Sequence, residues 1–278
     1  MTVKIVTDST ADLPDELVKE LGITVVPIYV RFGEEVLRDR VDISEDEFYH
    51  RLTEGSVHPN TTQPGPQDFV DVYQKLVQGA DGIVSIHISA KLSGTCNSAL
   101  MAKDMIGKKC PIEVVDAETL SMALGLVVIA AARAAKAGKS MDEVVAVAKQ
   151  AMPKIHLLAL LDTLKYLLLG GRIGKAKALL GSILNVKPML TLKDGEVVPA
   201  GQARNRAKGI DRLFDFVQGT ANIQELTVVH STTPDEAQAL AERLGSVFDK
   251  GKIIISRLGP SLGTHIGPAA LIVAVREA

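Results

Sequence analysis

Ile83-Val84-Ser85-Ile86-His87-Ile88-Ser89-Ala90-Lys91-Leu92-Ser93-Gly94-Thr95-Cys96-Asn97-Ser98-Ala99 carries the pattern on which the fold turns. Ile83 to Ile88 is a short apolar run of the kind that makes a buried strand. Small polar residues break it, and from Thr95 the chain can open a helix whose apolar stripe starts at Ala99, Leu100 and Met101. A strand ending in hydroxyls just before a helix N-terminus gathers unpaired N–H groups and positive partial charge, which suits an anion. Ser93 or Thr95 reads equally well as a plain helix cap. Taken alone, the stretch leaves both readings open.

The same arrangement stands at the start of the chain. Val3 to Val6 reads as a strand, Thr7-Asp8-Ser9-Thr10 follows, and Asp12 is expected to cap a helix with Pro14 in its first turn. In open parallel sheets ligands sit outside the carboxyl ends of the strands, so two hydroxyl-rich strand ends strengthen each other. Ile23 to Val30 reads as one further strand and Val36-Leu37 as an irregular extended piece. Ser44-Glu45-Asp46-Glu47 is a capping box for a helix to about Leu52. His58-Pro59-Asn60-Thr61-Thr62-Gln63-Pro64-Gly65-Pro66, with three prolines in nine residues, reads as a stiff loop without regular structure. It would hold Thr61 and Thr62 in place, although an ordinary proline-rich connection has the same composition. A helix over Gln67 to Val77, a strand over Ile112 to Val115 and a nearly all-apolar helix from about Leu120 to Ala137 come next. Ser140 to Glu143 is a second capping box.

Strands alternating with helices predict an N-terminal doubly wound parallel-sheet α/β/α domain over residues 1–152. Met152-Pro153 is the expected boundary. Beyond it the order changes. A strand over Ile155 to Leu161, a short helix to Leu169, a glycine break and a helix to about Leu184 lead into a hairpin turning at Asp194-Gly195. Helix Arg204 to Val217, strand Leu226 to His230, helix Pro234 to Leu244 and strand Ile253 to Ser256 complete the pattern. Residues 153–278 therefore read as a C-terminal α+β domain with a mixed sheet.

Composition narrows the function. The 278 residues are 46% hydrophobic with a net charge of −2, which supports a proper core and argues against nucleic-acid binding by whole-domain charge. There is no Trp, so base-stacking platforms are not expected. Cys96 and Cys110 form no CxxC and have no histidine set, so no metal site is expected. No signal peptide is legible after Met1, and the apolar run from Leu120 to Ala132 falls short of the ~20 residues that span a bilayer. A soluble cytoplasmic protein is the expectation.

Gly170-Gly171-Arg172-Ile173-Gly174-Lys175 resembles a phosphate loop but is one residue short, and Ala176 stands where Ser or Thr would hold magnesium. It leaves a glycine turn presenting Arg172, Lys175 and Lys177; Arg204, Arg206 and Lys208 form a second basic cluster. Both suit solvated faces or docking of an acidic or phosphate-bearing partner. Ser93 does not sit in a G-x-S-x-G elbow, since Lys91 stands two residues before it and Thr95 two after. His265, in Leu262-Gly263-Thr264-His265-Ile266-Gly267-Pro268, reads as a histidine delivered to a cleft by a tight turn, with a structural donor as the plainer alternative. Hydroxyls (Ser9, Thr61, Thr62, Ser93) and one histidine, without paired catalytic carboxylates, suit holding an anion better than cutting a bond.

In order along the chain, Val6-Thr7-Asp8-Ser9-Thr10-Ala11-Asp12-Leu13-Pro14, Thr61-Thr62-Gln63-Pro64, Leu92-Ser93-Gly94-Thr95, Gly170-Gly171-Arg172-Ile173 and Gly263 to Pro268 resemble the DegV family of bacterial fatty-acid-binding proteins. The resemblance spans essentially the whole chain. It implies two α/β domains with one long-chain fatty acid between them and no other cofactor. It implies a carboxylate held by Thr61 or Thr62, by Ser93 with the Gly94 N–H, and by His265. It further implies a binding subunit without catalysis of its own, presenting the acid to a separate ATP-dependent kinase that makes an acyl phosphate for phospholipid synthesis. Arg172 would then contact the partner or the phosphoryl group, with transient contact at a membrane surface. Thr62 stands where many relatives carry Ser, which keeps the hydroxyl. His87 and Ala90 depart from the usual Ile-Ser-Ser-Lys, and His87 is expected on the buried side of its strand with no evident role. The competing expectation is an acyl hydrolase or transferase using Ser93 and His265.

Overall fold

A computed structural model describes residues 2–107, 110–179 and 186–278. Numbered along the chain, the first half comprises β1 (Val3–Asp8), α1 (Asp15–Leu21), β2 (Ile23–Val26), β3 (Tyr29–Phe32), β4 (Glu35–Arg38), α2 (Glu45–Glu54), β5 (Asn60–Thr62), α3 (Pro66–Val77), β6 (Gly82–His87), α4 (Thr95–Ile106), β7 (Ile112–Asp116), α5 (Ser121–Lys136) and α6 (Met141–Ala151). Four strands form a parallel sheet in the order β2-β1-β6-β7. Side-chain alternation along β1 and β6 feeds both faces. Ile5, Val84 and Ile86 pack with α5 and α6, whereas Val6 and Ile83 pack with Phe69 and Tyr73 of α3 and Ala99 and Ala102 of α4. This is the doubly wound layer expected from the alternating pattern.

The second half comprises β8 (Ile155–Leu160), α7 (Lys165–Leu169), β9 (Lys187–Lys193), β10 (Glu196–Ala203), α8 (Arg206–Gln218), β11 (Ile223–His230), α9 (Pro234–Leu244), β12 (Ile253–Arg257), α10 (Pro260–Ile266) and β13 (Leu271–Glu277). Its six-stranded mixed sheet runs β10-β9-β8-β13-β11-β12, antiparallel except for β11 with β12. Asp194 and Gly195 turn the β9–β10 hairpin with φ of 51° and 74°, the two positive values that a type I′ turn requires.

Helix α5 is apolar almost all round because it lies between the sheets. Leu124, Leu126, Val127 and Val128 share one core with Ile5 and Val84 of the parallel sheet and with Leu157, Ala159, Ile272 and Ala274 of the mixed sheet. The core is therefore continuous across Met152. The small residue Gly125 serves packing, since a Cβ there would crowd the carbonyl oxygen of Ala11.

Several local expectations change. Asp12 caps no helix. It sits in the left-handed region after a 3-10 turn over Ser9–Ala11, and Pro14, which has no side-chain cap to offer, stands at the N-cap of α1. Asp12 is wholly buried instead, where Oδ1 accepts from Gly259 N–H (2.8 Å) and Oδ2 from Ser121 Oγ (2.7 Å). Ser256 Oγ donates to its carbonyl, and Arg40 lies 3.5 Å from Oδ1 while donating to Arg257 O. This polar knot ties β1's end to the loop that launches α10. Pro27 divides the stretch read as one strand into β2 and β3, and Val36-Leu37 belongs to a regular strand, β4. Asn60 to Thr62, read as unstructured, pairs antiparallel with β3, giving a small β4-β3-β5 sheet. At Ser44 the cap is half a capping box: its hydroxyl accepts from Glu47 N–H, but the Glu47 carboxylate turns to Arg51. Beyond Gly174 a 3-10 turn runs to Leu179, and the remainder of the helix expected to Leu184 lies outside the described residues.

Candidate functional site

A cavity of about 320 Å³ lies where the parallel sheet's carboxyl ends face β5, α7 and α10. Thr10 and Ile88 reach it from just beyond the ends of β1 and β6, Thr61 and Thr62 from β5 and Gln63 from just after it, Leu92 and Ser93 from the loop before α4, Leu167 and Arg172 from α7 and the turn after it, and Ser261, Leu262, His265 and Ile266 from α10. Thr61 and His265 meet on this wall, and Leu120, Leu167, Val197 and Ile266 supply apolar surface to it.

His265 is not in a loop turn. It sits in the last turn of α10, which begins at Gly259-Pro260 and stops at Gly267, where φ is 82°. That Gly-Pro start and glycine stop were legible signals for a helix. Its Nε2 is hydrogen-bonded to Thr61 Oγ1 at 2.8 Å. Ladder pairing of Thr61 with Val30 fixes the hydroxyl's position. Burial, aided by the positive charge of Arg172 and by His58, lowers the His265 pKa to about 4, so the imidazole is neutral at pH 7. A neutral imidazole can donate from one ring nitrogen only, so Nε2 serves either as donor to an anion or as acceptor from Thr61.

Ser93 does both things the sequence left open. Its Oγ lies 2.8 Å from Thr95 Oγ1 and accepts from Thr95 N–H, bracing the α4 start, and the residue also lines the cavity. Gly94 is the N-cap of α4, where it supplies no side-chain acceptor. It does not line the cavity wall; a Cβ on it would collide with the Gln63 carboxamide, so its smallness lets the β5 loop close onto α4. Gly170 acts similarly toward His265, whose Nδ1 lies where its Cβ would be. Arg172 donates to Leu92 O (3.4 Å) and Gly170 O (2.8 Å), spanning the rim, and makes no ion pair with a carboxylate among the described residues. An unneutralised guanidinium, hydroxyls and the N-terminus of a 12-residue helix give this end of the cavity a positive character.

Ser9 is not part of this wall. Its hydroxyl donates to Asp39 Oδ2 (2.7 Å) and accepts from Ile28 N–H (3.0 Å). Thr10, the next residue, faces the cavity in its place. His87 is fully buried between Asp8 Oδ2 (2.9 Å from Nδ1) and Ser85 Oγ (2.7 Å from Nε2), with Tyr73 donating to Ser85. Asp8 in turn accepts from the N–H and hydroxyl of Thr10. The network thus sets the cavity-facing residue from behind. A serine nucleophile needs its base within hydrogen-bond reach. Ser93 Oγ is instead bonded to Thr95, and His265 Nε2 to Thr61. Among the described residues no cluster of His, Cys, Asp and Glu could hold a metal, and no helix is long and apolar enough to cross a membrane.

A family-wide sequence profile, described as an uncharacterised protein family, DegV, matches residues 2–278. The chain belongs to the DegV family. A DegV domain-containing protein of Streptomyces coelicolor is 40% identical over 98% of each chain. The fold is that of a DegV family protein from Thermus thermophilus described for its fatty acid binding, with TM-score 0.92, 35% identity and full coverage of both chains. DegV of Bacillus subtilis, a fatty acid binding protein, superposes with TM-score 0.91 at 30% identity, again over the whole of both chains. The DegV architecture thus accounts for the pairing of a parallel and a mixed sheet around α5.

Proposed function

We propose that this protein binds one long-chain fatty acid, with the carboxylate at the Thr61–His265 end of the cavity and the tail along its leucine-lined wall. The observation that carries the reading is the juxtaposition, in one cavity, of a Thr61–His265 pair beside Arg172 with an apolar lining. Thr61, Thr62, Ser93 and His265 are the carboxylate-binding set, and Gly94 acts by admitting Gln63. Each buried CH₂ contributes roughly 0.8 kcal/mol, so a C16 tail brings on the order of 10 kcal/mol before association costs. Fatty acid binding by the Thermus and Bacillus relatives supports the same reading.

The ligand's reactive end is then presented to a separate ATP-dependent kinase for acyl-phosphate formation. Arg172, exposed at the rim, is the contact for that partner or for the phosphoryl group. Leu168 and Leu169, about half exposed (49% and 53%) beside it, supply apolar surface for the partner or a membrane face. Residues 1–152 and 153–278 act as the two domains whose interface holds the acid.

Mass spectrometry of an organic extract, quantified against protein, tests the binding. About one fatty acid per chain is expected, falling in His265→Ala. An empty extract together with no uptake of added palmitate or oleate overturns the reading.

A further inference from the structure

A second space lies behind the apolar wall of the cavity. Leu120, Leu167, Val197 and Ile266 also line a second void of about 40 Å³, directly behind the first. Among the described residues that line that void Thr191 alone has a polar side chain, and its hydroxyl donates to Leu157 O at 2.6 Å. The described part of its wall therefore leaves no side-chain polar atom asking for water. Leu157, Thr191 and Leu192, on the far side, in turn line a third and larger cleft of about 630 Å³. The rim of that cleft is polar: Glu118, Thr119, Lys149, His156 and Asp194 stand around it. A site built only for a hydrocarbon tail needs a closed apolar end, whereas here the apolar residues behind the cavity also border a cleft with charged side chains at its rim.

We infer that the three spaces form one through-bore and that the protein accepts ω-hydroxylated long-chain fatty acids, the terminal hydroxyl emerging into the distal cleft. This rests on the fatty-acid reading and adds the ligand class. The rim favours a neutral hydroxyl over a second carboxylate, because its charges are mixed: Lys149 and His156 line it together with Glu118 and Asp194, and His156 already lies 3.6 Å from Glu277. Leu157 and Leu192 are the narrowing through which the chain passes. In a blind tunnel a terminal hydroxyl would be buried without a partner, a large penalty, whereas in an open bore it stays hydrated.

The test uses delipidated full-length protein and five probes: palmitic and 16-hydroxypalmitic acid, icosanoic and 20-hydroxyicosanoic acid, and dodecanoic acid. Binding is measured by calorimetry or displacement of a fluorescent fatty acid. The 20-carbon pair is expected to bind within about threefold of each other; a loss of about tenfold or more from the hydroxyl at both lengths overturns the bore. Leu192→Trp should weaken icosanoic acid about tenfold while leaving dodecanoic acid unchanged, and an equal effect on both, or none on either, overturns the passage at Leu192. If palmitic acid itself fails to bind, the fatty-acid reading falls, a result distinct from rejection of the hydroxyl alone.

Discussion

Thr61 and His265 stand 204 positions apart in the chain and meet through a 2.8 Å hydrogen bond between Oγ1 and Nε2. The pair joins the small three-stranded sheet to α10 at the polar end of the cavity. A hydrogen bond to a charged ligand contributes about 1.5–3 kcal/mol, so His265→Ala should weaken fatty acid binding roughly 10- to 100-fold. Thr61→Val, nearly the same shape, should act in the same direction. Calorimetric affinities for palmitate check both, and unchanged affinity in both variants removes the pair from the site.

Binding should depend on pH through His265. In the free protein its pKa is about 4, and an anion placed against the ring favours the imidazolium, raising it. The complex therefore takes up protons, and affinity tightens as pH falls. A long-chain alkyl sulfonate, anionic throughout, isolates this from the ligand's own titration. Its affinity is expected to rise between pH 8 and 5 in the native protein and to stay flat in His265→Asn.

Two glycines are set by what they abut. A Cβ at Gly94 meets the Gln63 carboxamide, and one at Gly170 meets His265 Nδ1, while both backbones have ordinary negative φ (−76° and −78°). Gly94→Ala and Gly170→Ala should therefore keep the fold and disturb the site. We expect thermal midpoints within a few degrees of native and palmitate affinity lowered at least fivefold, the larger loss at Gly170. Loss of stability without loss of affinity would contradict the geometry.

The buried Asp12 gives a stability signature. Burial, the dominant influence, raises its pKa from 3.8 to about 7 against the opposing pull of Arg40, the Gly259 N–H and Ser121. The folded state thus holds a proton the unfolded state gives up; that stabilisation is complete below about pH 4 and is lost as pH rises toward 7. His265 works the other way, its contribution present above pH 6.5 and lost as pH falls toward 4. The two partly cancel in the native protein. Asp12→Asn should separate them, gaining stability relative to native as pH rises from 4 to 8. Urea midpoints at the two extremes measure this, and a pH-independent difference would contradict it.

Much of the layout was legible because the patterns are local. Ile83 to Ile88, the Ser140 capping box and the Asp194-Gly195 turn each declare themselves within a few residues, by apolar run, cap chemistry or backbone sign. The departures come where a distant partner wins. Asn60 to Thr62 looked irregular between its prolines, yet β3 supplies a ladder that three residues cannot provide for themselves. Asp12 has cap chemistry, yet Gly259 and Ser121 claim its oxygens. The Ile23 to Val30 stretch is broken at Pro27, a break the apolar run concealed.

By itself the chain determined the alternation of strands and helices, the family, and the hydroxyls and histidine from which an anion site is made, since these follow from periodicity and local chemistry. Only the tertiary structure decided which of them meet: Ser9 turned to Asp39, Thr10 to the cavity, Thr61 to His265, and the buried His87 to Asp8. Each of those outcomes depends on burial and on the packing of segments distant in sequence. A residue's neighbours along the chain leave that choice open, because several partners of equal chemistry compete until the core closes.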